Sequence, residues 1–301
     1  MNAPIRPGVL LAHKPVGVSS YAMVAALMGE IATAGGRKRL RICHGGALDP
    51  FASGLLLILA GPMTRVMDTL HTLPKRYVVQ VRWGEETDTG DLLGTSVRRG
   101  DATALRPAVL DAAVVPFLGW TDQIPPNTSN KRIGGERAYE KAHRGEQFEL
   151  PACRVYLHSA RWVRHDLPAT STVELVCRGG YYVRSFVRDL GRSLGVPAHV
   201  GALARTEIGP WADPGEGRRR QYSGSDAFGW CSERLISATE AASIRRREAI
   251  PLGHTTAARW TPDVGYSAFA ETICAIHGDR PMALLRREAD TLVGGVIVEG
   301  V

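Results

Sequence analysis

An α/β fold follows from the way this 301-residue chain alternates its apolar segments, and three observations carry it. Gly8 to Lys14 is a short apolar run stopped by Pro15, and an Ala/Met/Val-rich helical stretch from Tyr21 to Ile31 follows at once. Arg76 to Trp83, Val155 to Val163 and Ser171 to Cys177 have the β-branched and aromatic content of strands. A segment opening near Tyr182 sets Phe186 and Leu190 four residues apart, on one face of a helix. Interleaved strands and helices pack as layers around a shared core. With 44% hydrophobic and 22% charged residues, the chain is ordered and long enough for a large domain plus a small one.

Each element has a local reason. Pro15 lacks the N–H a strand needs, and Ser19-Ser20 supplies capping hydroxyls for the first helix. Leu55-Leu56-Leu57-Ile58-Leu59-Ala60 is apolar throughout, so it reads equally as a buried strand or a core helix. After the strand Arg76 to Trp83, Asp88-Thr89-Gly90-Asp91 offers turn residues before Thr95-Ser96-Val97, which predicts a hairpin. Ala108 to Leu118 reads as a helix. Gln123 to Gly135 is polar and punctuated by Pro and Gly, and Arg137 to Arg144 reads as a brief basic helix, so about 121–152 forms a basic insertion. Residues 209–227 lack apolar periodicity and read as a surface connection, placing a boundary near 228 and dividing the chain into 1–228 and 229–301. The second part, with a helix around Thr239 to Glu248 and strands at Thr272 to Ile276 and Val293 to Val298, reads as a small β-rich module. There is no internal repeat.

Lys plus Arg number 37 against 30 acidic residues, giving +7 and a pI near 9.4. That excess favours an acidic partner such as nucleic acid, although it also serves solubility. Cys43, Cys153, Cys177, Cys231 and Cys274 are scattered with no CxxC pair, so neither a zinc site nor a disulfide framework is indicated, and reduced thiols in a cytoplasm are expected. Met1 to Pro7 holds no apolar leader core, and no run reaches the roughly 18 apolar residues of a membrane span.

The most informative stretch is Cys43-His44-Gly45-Gly46-Ala47-Leu48-Asp49-Pro50-Phe51-Ala52-Ser53-Gly54-Leu55-Leu56. It sets one carboxylate in a Gly-rich loop between the basic run Arg37-Lys38-Arg39-Leu40-Arg41 and the apolar run. A polyanion held by the basic side would be led to the acid. Taken singly, Asp49-Pro50 is turn chemistry, Tyr77 a core aromatic and Arg184 a surface arginine.

Together the motifs resemble a family. Gly8-Val9-Leu10-Leu11-Ala12-His13-Lys14-Pro15-Val16-Gly17-Val18-Ser19-Ser20, Gly46-Ala47-Leu48-Asp49-Pro50 with Ser53-Gly54-Leu55-Leu56, Lys75-Arg76-Tyr77, Thr87-Asp88-Thr89-Gly90-Asp91 and Gly180-Tyr181-Tyr182-Val183-Arg184-Ser185 match, in order and spacing, the bacterial tRNA pseudouridine-55 synthases of the TruB type. The likeness runs from about residue 8 to residue 208 and is weaker beyond. It implies a mixed, mainly antiparallel central sheet, a thumb-like basic insertion and a C-terminal PUA-like RNA-binding module. It also implies isomerisation of the T-loop uridine of tRNA to pseudouridine, with no cofactor or metal, by a single chain without an obligate protein partner.

The same resemblance assigns roles. Asp49 is the nucleophile, Arg184 its ion-pair partner, and Tyr77 stacks on the uracil and takes the C5 proton. Such a reaction cleaves the bond from ribose to N1, turns the base and rejoins it through C5, so it needs a carboxylate, a base and a pocket for a flipped-out nucleotide. His44 would fill the vacated space, Asp91 would contact a nearby base and Tyr182 would line the uracil pocket. Arg37, Lys38, Arg39, Arg41, Arg65, Lys131 and Arg132 would hold RNA, mostly at phosphates, as would Arg137, Lys141 and Arg144. Three departures stand out: Gly45 where the family usually has Thr, Arg65 where it often has Lys, and no Tyr-Ser-Ala run after Pro125-Pro126. Two other readings fit the same residues, an RNA chaperone of the tRNA elbow and a pseudouridine synthase acting on another RNA.

Overall fold

A computed structural model describes residues 4–33, 40–264 and 271–301. Its contacts gather into two compact units: Met1–Leu73 with Glu207–Val301, and Pro74–Thr206. The boundary foreseen near 228 lies inside the first unit.

The first unit opens with β1 (Gly8–Lys14), α1 (Ser20–Thr33), β2 (Ile42–His44), β3 (Ser53–Ala60) and α2 (Met67–His71). The ambiguous apolar run is a strand. β3 pairs antiparallel with β1 from Ala60↔Gly8 to Gly54↔Lys14 and with β2 through Ala60↔Ile42 and Ile58↔His44. Its leucines are apolar on both sides because both faces are covered: Leu55, Leu57 and Leu59 enter one core cluster, while Leu56 and Ile58 pack with Val24 and Leu27 of α1. All five are fully buried, each contributing about 1.5–3 kcal/mol of transfer free energy. A strand buried on both faces loses its period-two signature, which is why the sequence alone left two choices.

The second unit holds β4 (Lys75–Trp83), β5 (Glu85–Thr87), β6 (Ser96–Arg99), α3 (Pro107–Val114), β7 (Gly119–Gln123), β8 (Arg132–Ile133), β9 (Glu136–Arg137), α4 (Ala138–His143), β10 (Cys153–Asp166), β11 (Thr170–Cys177), α5 (Val183–Ser193) and β12 (Ala198–Ile208), whose last two residues lie past this unit. Its strands run in the order β12-β4-β11-β10-β7, with β4–β11, β11–β10 and β10–β7 all antiparallel. The hairpin exists but is β5 with β6, one element later than expected. Gly84, at φ 90°, turns the chain off β4, and its N–H donates to Pro197 O at 2.7 Å. α3 stops at Val114, and Pro116 sits in the tighter turn that follows.

β12 has no clear sequence signature. It carries Arg205, 1% exposed, and Gly201, where an added Cβ would lie 2.8 Å from Arg82 Cγ and 2.9 Å from Gln80 Oε1. Side chains of β4 cross over that glycine, so a residue of low strand propensity is required inside a strand.

The first unit resumes with β13 (Trp211–Ala212), β14 (Arg219–Tyr222), β15 (Ser232–Leu235), α6 (Ala238–Arg245), β16 (Ile250–Pro251), β17 (Thr272–His277), β18 (Arg280–Glu288) and β19 (Thr291–Ile297). Residues 209–227 are therefore more than a connection. β14 pairs with β1 from Tyr222↔Val9 to Arg219↔Ala12, and its arginine-rich sequence suits a strand at the end of the pairing order. The β-rich module expected at the C-terminus is a five-stranded sheet, β15-β17-β18-β19-β16, with β15 and β17 parallel and the other pairs antiparallel. One face of it forms its own core around Ile244, Ile273 and Leu285, while Cys274, Leu284 and Val298 share a core with Val9, Leu57 and Phe228. The fold is α/β with a mainly antiparallel central sheet, as the resemblance implied.

Candidate active site

Asp49 lies in the loop between β2 and β3, half-buried, and that loop is tied down from two directions. Ser20 Oγ accepts from Leu48 N–H at 2.9 Å and donates to Leu48 O at 3.2 Å. Pro50 O accepts from Gly17 N–H at 2.8 Å and from Lys14 Nζ at 3.3 Å. The residues on either side of the carboxylate are thus pinned. Lys14 is fully buried, and its Nζ also donates to Pro15 O at 2.9 Å and Val18 O at 2.7 Å. A buried ammonium is tolerable only when hydrogen-bonded, and here it gathers three carbonyls around one point.

The two serines expected to cap α1 divide the work. Ser19 caps the helix, accepting from Ala22 N–H at 3.0 Å, whereas Ser20 holds the aspartate loop. Ser20→Ala is therefore expected to cost about 2 kcal/mol in a urea melt, since a buried N–H loses its acceptor, and to lower turnover roughly tenfold through a displaced loop. Ser19→Ala should cost about 1 kcal/mol and leave turnover unchanged. Equal kinetic effects of the two would count against the division.

Gly45 has a structural reason. Its N–H bonds Leu57 O at 2.8 Å, and a Cβ there would stand 3.2 Å from Leu57 Cβ and 3.6 Å from both Leu59 methyls. A threonine at this position would need β3 to give way by a few tenths of an ångström. His44 closes β2, half-buried.

Arg184 occupies the first turn of α5, where a cation opposes the helix dipole, so helix stability does not explain it. The guanidinium is 6% exposed. Its Nη1 donates to Thr128 Oγ1 at 2.5 Å and Thr89 O at 3.0 Å and lies 3.4 Å from Asp91 Oδ2, and its Nη2 reaches Thr128 O at 3.4 Å. Thr128 belongs to the stretch that departs from the family pattern, so the departure itself supplies a partner. Asp91 is 4% exposed, with Oδ1 accepting from Thr89 Oγ1 at 2.8 Å and Leu93 N–H at 3.0 Å. The carboxylate that the resemblance puts on an RNA base is buried in this structure and engaged by donors of its own unit.

Tyr182 precedes α5, and Gln123 grips its backbone on both sides: Tyr182 N–H donates to Gln123 Oε1 at 3.0 Å and Gln123 Nε2 donates to Tyr182 O at 3.3 Å. Ser185 and Arg188 both donate to Ile124 O, at 2.8 and 2.9 Å. The helix bearing Arg184 is thereby fastened to the start of the insertion. Gln123 and Thr128 were not singled out from sequence, because neither residue type signals a buried bridge.

Tyr77 lies in β4, 8% exposed and opposite Leu175 of β11. Two residues before it, Lys75 shares its strand face, fully buried opposite Cys177. Burial pushes the Lys75 amine down to about 7, with the Arg205 guanidinium adding to the effect, Cys177 opposing it and Arg178 adding again. Burial pushes the Cys177 thiol up to about 12.

The basic residues fare unevenly. Arg41 is exposed, and exposed Arg65 donates to Ile297 O at 3.4 Å. Lys131 is half-buried, and exposed Arg132 donates to Gly135 O at 2.9 Å across its hairpin. Lys141 and Arg144 are each paired with Glu136 and Glu146, at 2.7–3.5 Å, so their charge is met internally. Arg37, Lys38 and Arg39 lie outside the described residues. All five cysteines are free thiols, and no helix among the described residues is long and apolar enough to cross a membrane.

Residues 35–183 match the family described as TruB family pseudouridylate synthase (N terminal domain), a span that holds Asp49 and Tyr77 and ends one residue before Arg184. The chain is 35% identical over 212 residues to a tRNA pseudouridine synthase B of Streptomyces griseus, covering 68% of this chain and 69% of that protein. It is 36% identical over 211 residues to one of Thermobifida fusca, covering 68% and 70%. Among solved structures it is similar to a chain of a Cbf5-Nop10-Gar1 complex, with a TM-score of 0.65 at 18% identity over 97% of this chain and 84% of the other. At that identity the likeness shows the fold.

Proposed function

Because the chain belongs to the TruB family of pseudouridylate synthases, we propose that it isomerises the T-loop uridine of tRNA, position 55, to pseudouridine. The observation that carries this reading is the agreement over two thirds of the chain with proteins named tRNA pseudouridine synthase B. Asp49 is the nucleophile. Its loop, held through Leu48 and Pro50, gives a carboxylate the fixed position that attack on a flipped-out nucleotide demands. Arg184 is its ion-pair partner, a planar fork able to hold a carboxylate in one orientation. Tyr77 stacks on the uracil and accepts the C5 proton, joining an aromatic face to a titratable oxygen.

His44 fills the space left by the extruded base, Tyr182 lines the uracil pocket and Asp91 acts near the neighbouring base. Arg37, Lys38, Arg39, Arg41, Arg65, Lys131 and Arg132 position the RNA through its phosphates. Residues 1–228 form the catalytic domain and 229–301 a PUA-like RNA-binding module, a role its five-stranded sheet would suit. The enzyme works in the cytoplasm on free tRNA, as a single chain, and no organic cofactor or metal enters a reaction that gains and loses no atoms.

The test is a transcriptome-wide map of pseudouridine in unmodified RNA incubated with and without the purified protein. New pseudouridine at position 55 of tRNA is the expected result. Modification elsewhere would move the substrate to another RNA while keeping the reaction, and tRNA binding without any product would favour the chaperone reading.

A further inference from the structure

The edge strand β7 and its neighbour β10 carry an aromatic and cationic patch that the proposed chemistry does not use. Trp120 lies on β7, 49% exposed, directly opposite Tyr156 of β10. The two rings meet edge to face with centroids 5.1 Å apart, and His158 continues the row at 4.7 Å from Tyr156. Two guanidinium groups lie over the indole, Arg178 at 5.3 Å and Arg154 at 5.9 Å. A large aromatic is thus left half in water at a sheet edge, with cations drawn to its face.

The charges around it sharpen the point. Several exposed arginines of this unit are met by carboxylates, Arg99 by Glu85, Arg161 by Glu174, Arg164 by Asp166 and Arg192 by Glu86, while Arg106 and Arg132 donate to carbonyl oxygens. Arg154 forms no ion pair among the described residues, although Asp122 stands opposite it in the strand register. It is held by the ring instead, with its N–H edge left to donate.

We propose that this patch binds an unpaired nucleotide of the RNA substrate, its base stacked on the Trp120–guanidinium layer and its phosphate met by Arg154. Planar π-faces and guanidinium planes accept any base, and a cation beside them meets the adjoining phosphate. An acidic peptide would be met by the charge but would leave the stacked rings without a use. Three residues along β7, Gln123 grips the backbone of Tyr182, so the patch and the helix bearing Arg184 share one rigid element of this unit. The patch would add affinity for folded tRNA without touching the reacting atoms. The inference rests on the reading that the chain acts on tRNA.

The experiment uses the full-length protein and unmodified tRNA transcript. Wild type must first bind the tRNA and form pseudouridine, since failure there is failure of the proposed function and not of the patch. Trp120→Ala is then expected to weaken tRNA binding about tenfold, with kcat at saturating tRNA unchanged. Trp120→Phe, which keeps a ring and guards against misfolding, should retain most of the affinity, and Arg154→Gln should flatten the dependence of binding on salt. Addition of tRNA should quench a component of tryptophan emission that Trp120→Phe lacks. Wild-type affinity in Trp120→Ala, or quenching undiminished in Trp120→Phe, would overturn the proposal.

Discussion

Replacing Asp49 with Asn is expected to lower pseudouridine formation by on the order of 10⁴-fold or more, while tRNA binds as tightly as before. The amide has nearly the shape of the carboxylate but no nucleophilic oxygen, and both of the routes open to such an aspartate, attack on the base or on the sugar, require the ionised form. Binding should persist because the contacts that hold the loop involve its neighbours: Leu48 with Ser20, and Pro50 with Gly17 and Lys14. Those contacts remain when the side chain changes. The measurement is the yield of pseudouridine in single-turnover reactions beside a filter-binding isotherm. Appreciable product from the Asn variant would remove Asp49 from the mechanism, and lost binding would give it a part in holding RNA.

Arg184→Met is expected to destabilise the protein by about 3–5 kcal/mol and to abolish activity. Asp91 is as buried as the arginine, and removing the cation strands its carboxylate away from water. Arg184→Lys should fold, because the charge survives, yet turn over roughly 100-fold more slowly. One ammonium cannot repeat a fork that reaches Thr89 O, Thr128 Oγ1, Thr128 O and Asp91 together. Urea melts and kcat separate the two effects. Combining Arg184→Met with Asp91→Asn should cost less than the sum of the single changes, since the stranded charge is gone. Additivity within about 0.5 kcal/mol would mean that the two residues are not coupled.

Much of this was legible in the order of residues. β1 stops at Lys14 because Pro15 follows, and α5 begins after Gly180 with Phe186 and Leu190 turned inward. These are local signals that act over a few residues. β3 was legible only as an apolar run, since coverage of both faces erases the alternation that tells strand from helix. β12 and β14 escaped notice for different reasons. A glycine in β12 leaves room for side chains of β4, and β14 owes its pairing to the backbone of β1 and not to an apolar face of its own.

The candidate site divides in the same way. Asp49, Tyr77 and Arg184 could be named from sequence because a spaced set of motifs, not any single residue, carries the family likeness. Lys14 and Ser20 stood in those motifs, but their work did not show, since a lysine and a serine ordinarily belong to the surface and to a helix cap. Only the folded chain brings Lys14 Nζ to Pro50 O and Ser20 Oγ to Leu48, contacts that span 36 and 28 residues. The same holds for Thr128 and Arg184, 56 residues apart. By itself the sequence determined the family, the reaction class and many of the local elements, because propensity, turn chemistry and motif order act over short stretches. The tertiary structure alone decided which buried polar groups meet, because a donor lost to water must find its acceptor wherever the fold places one.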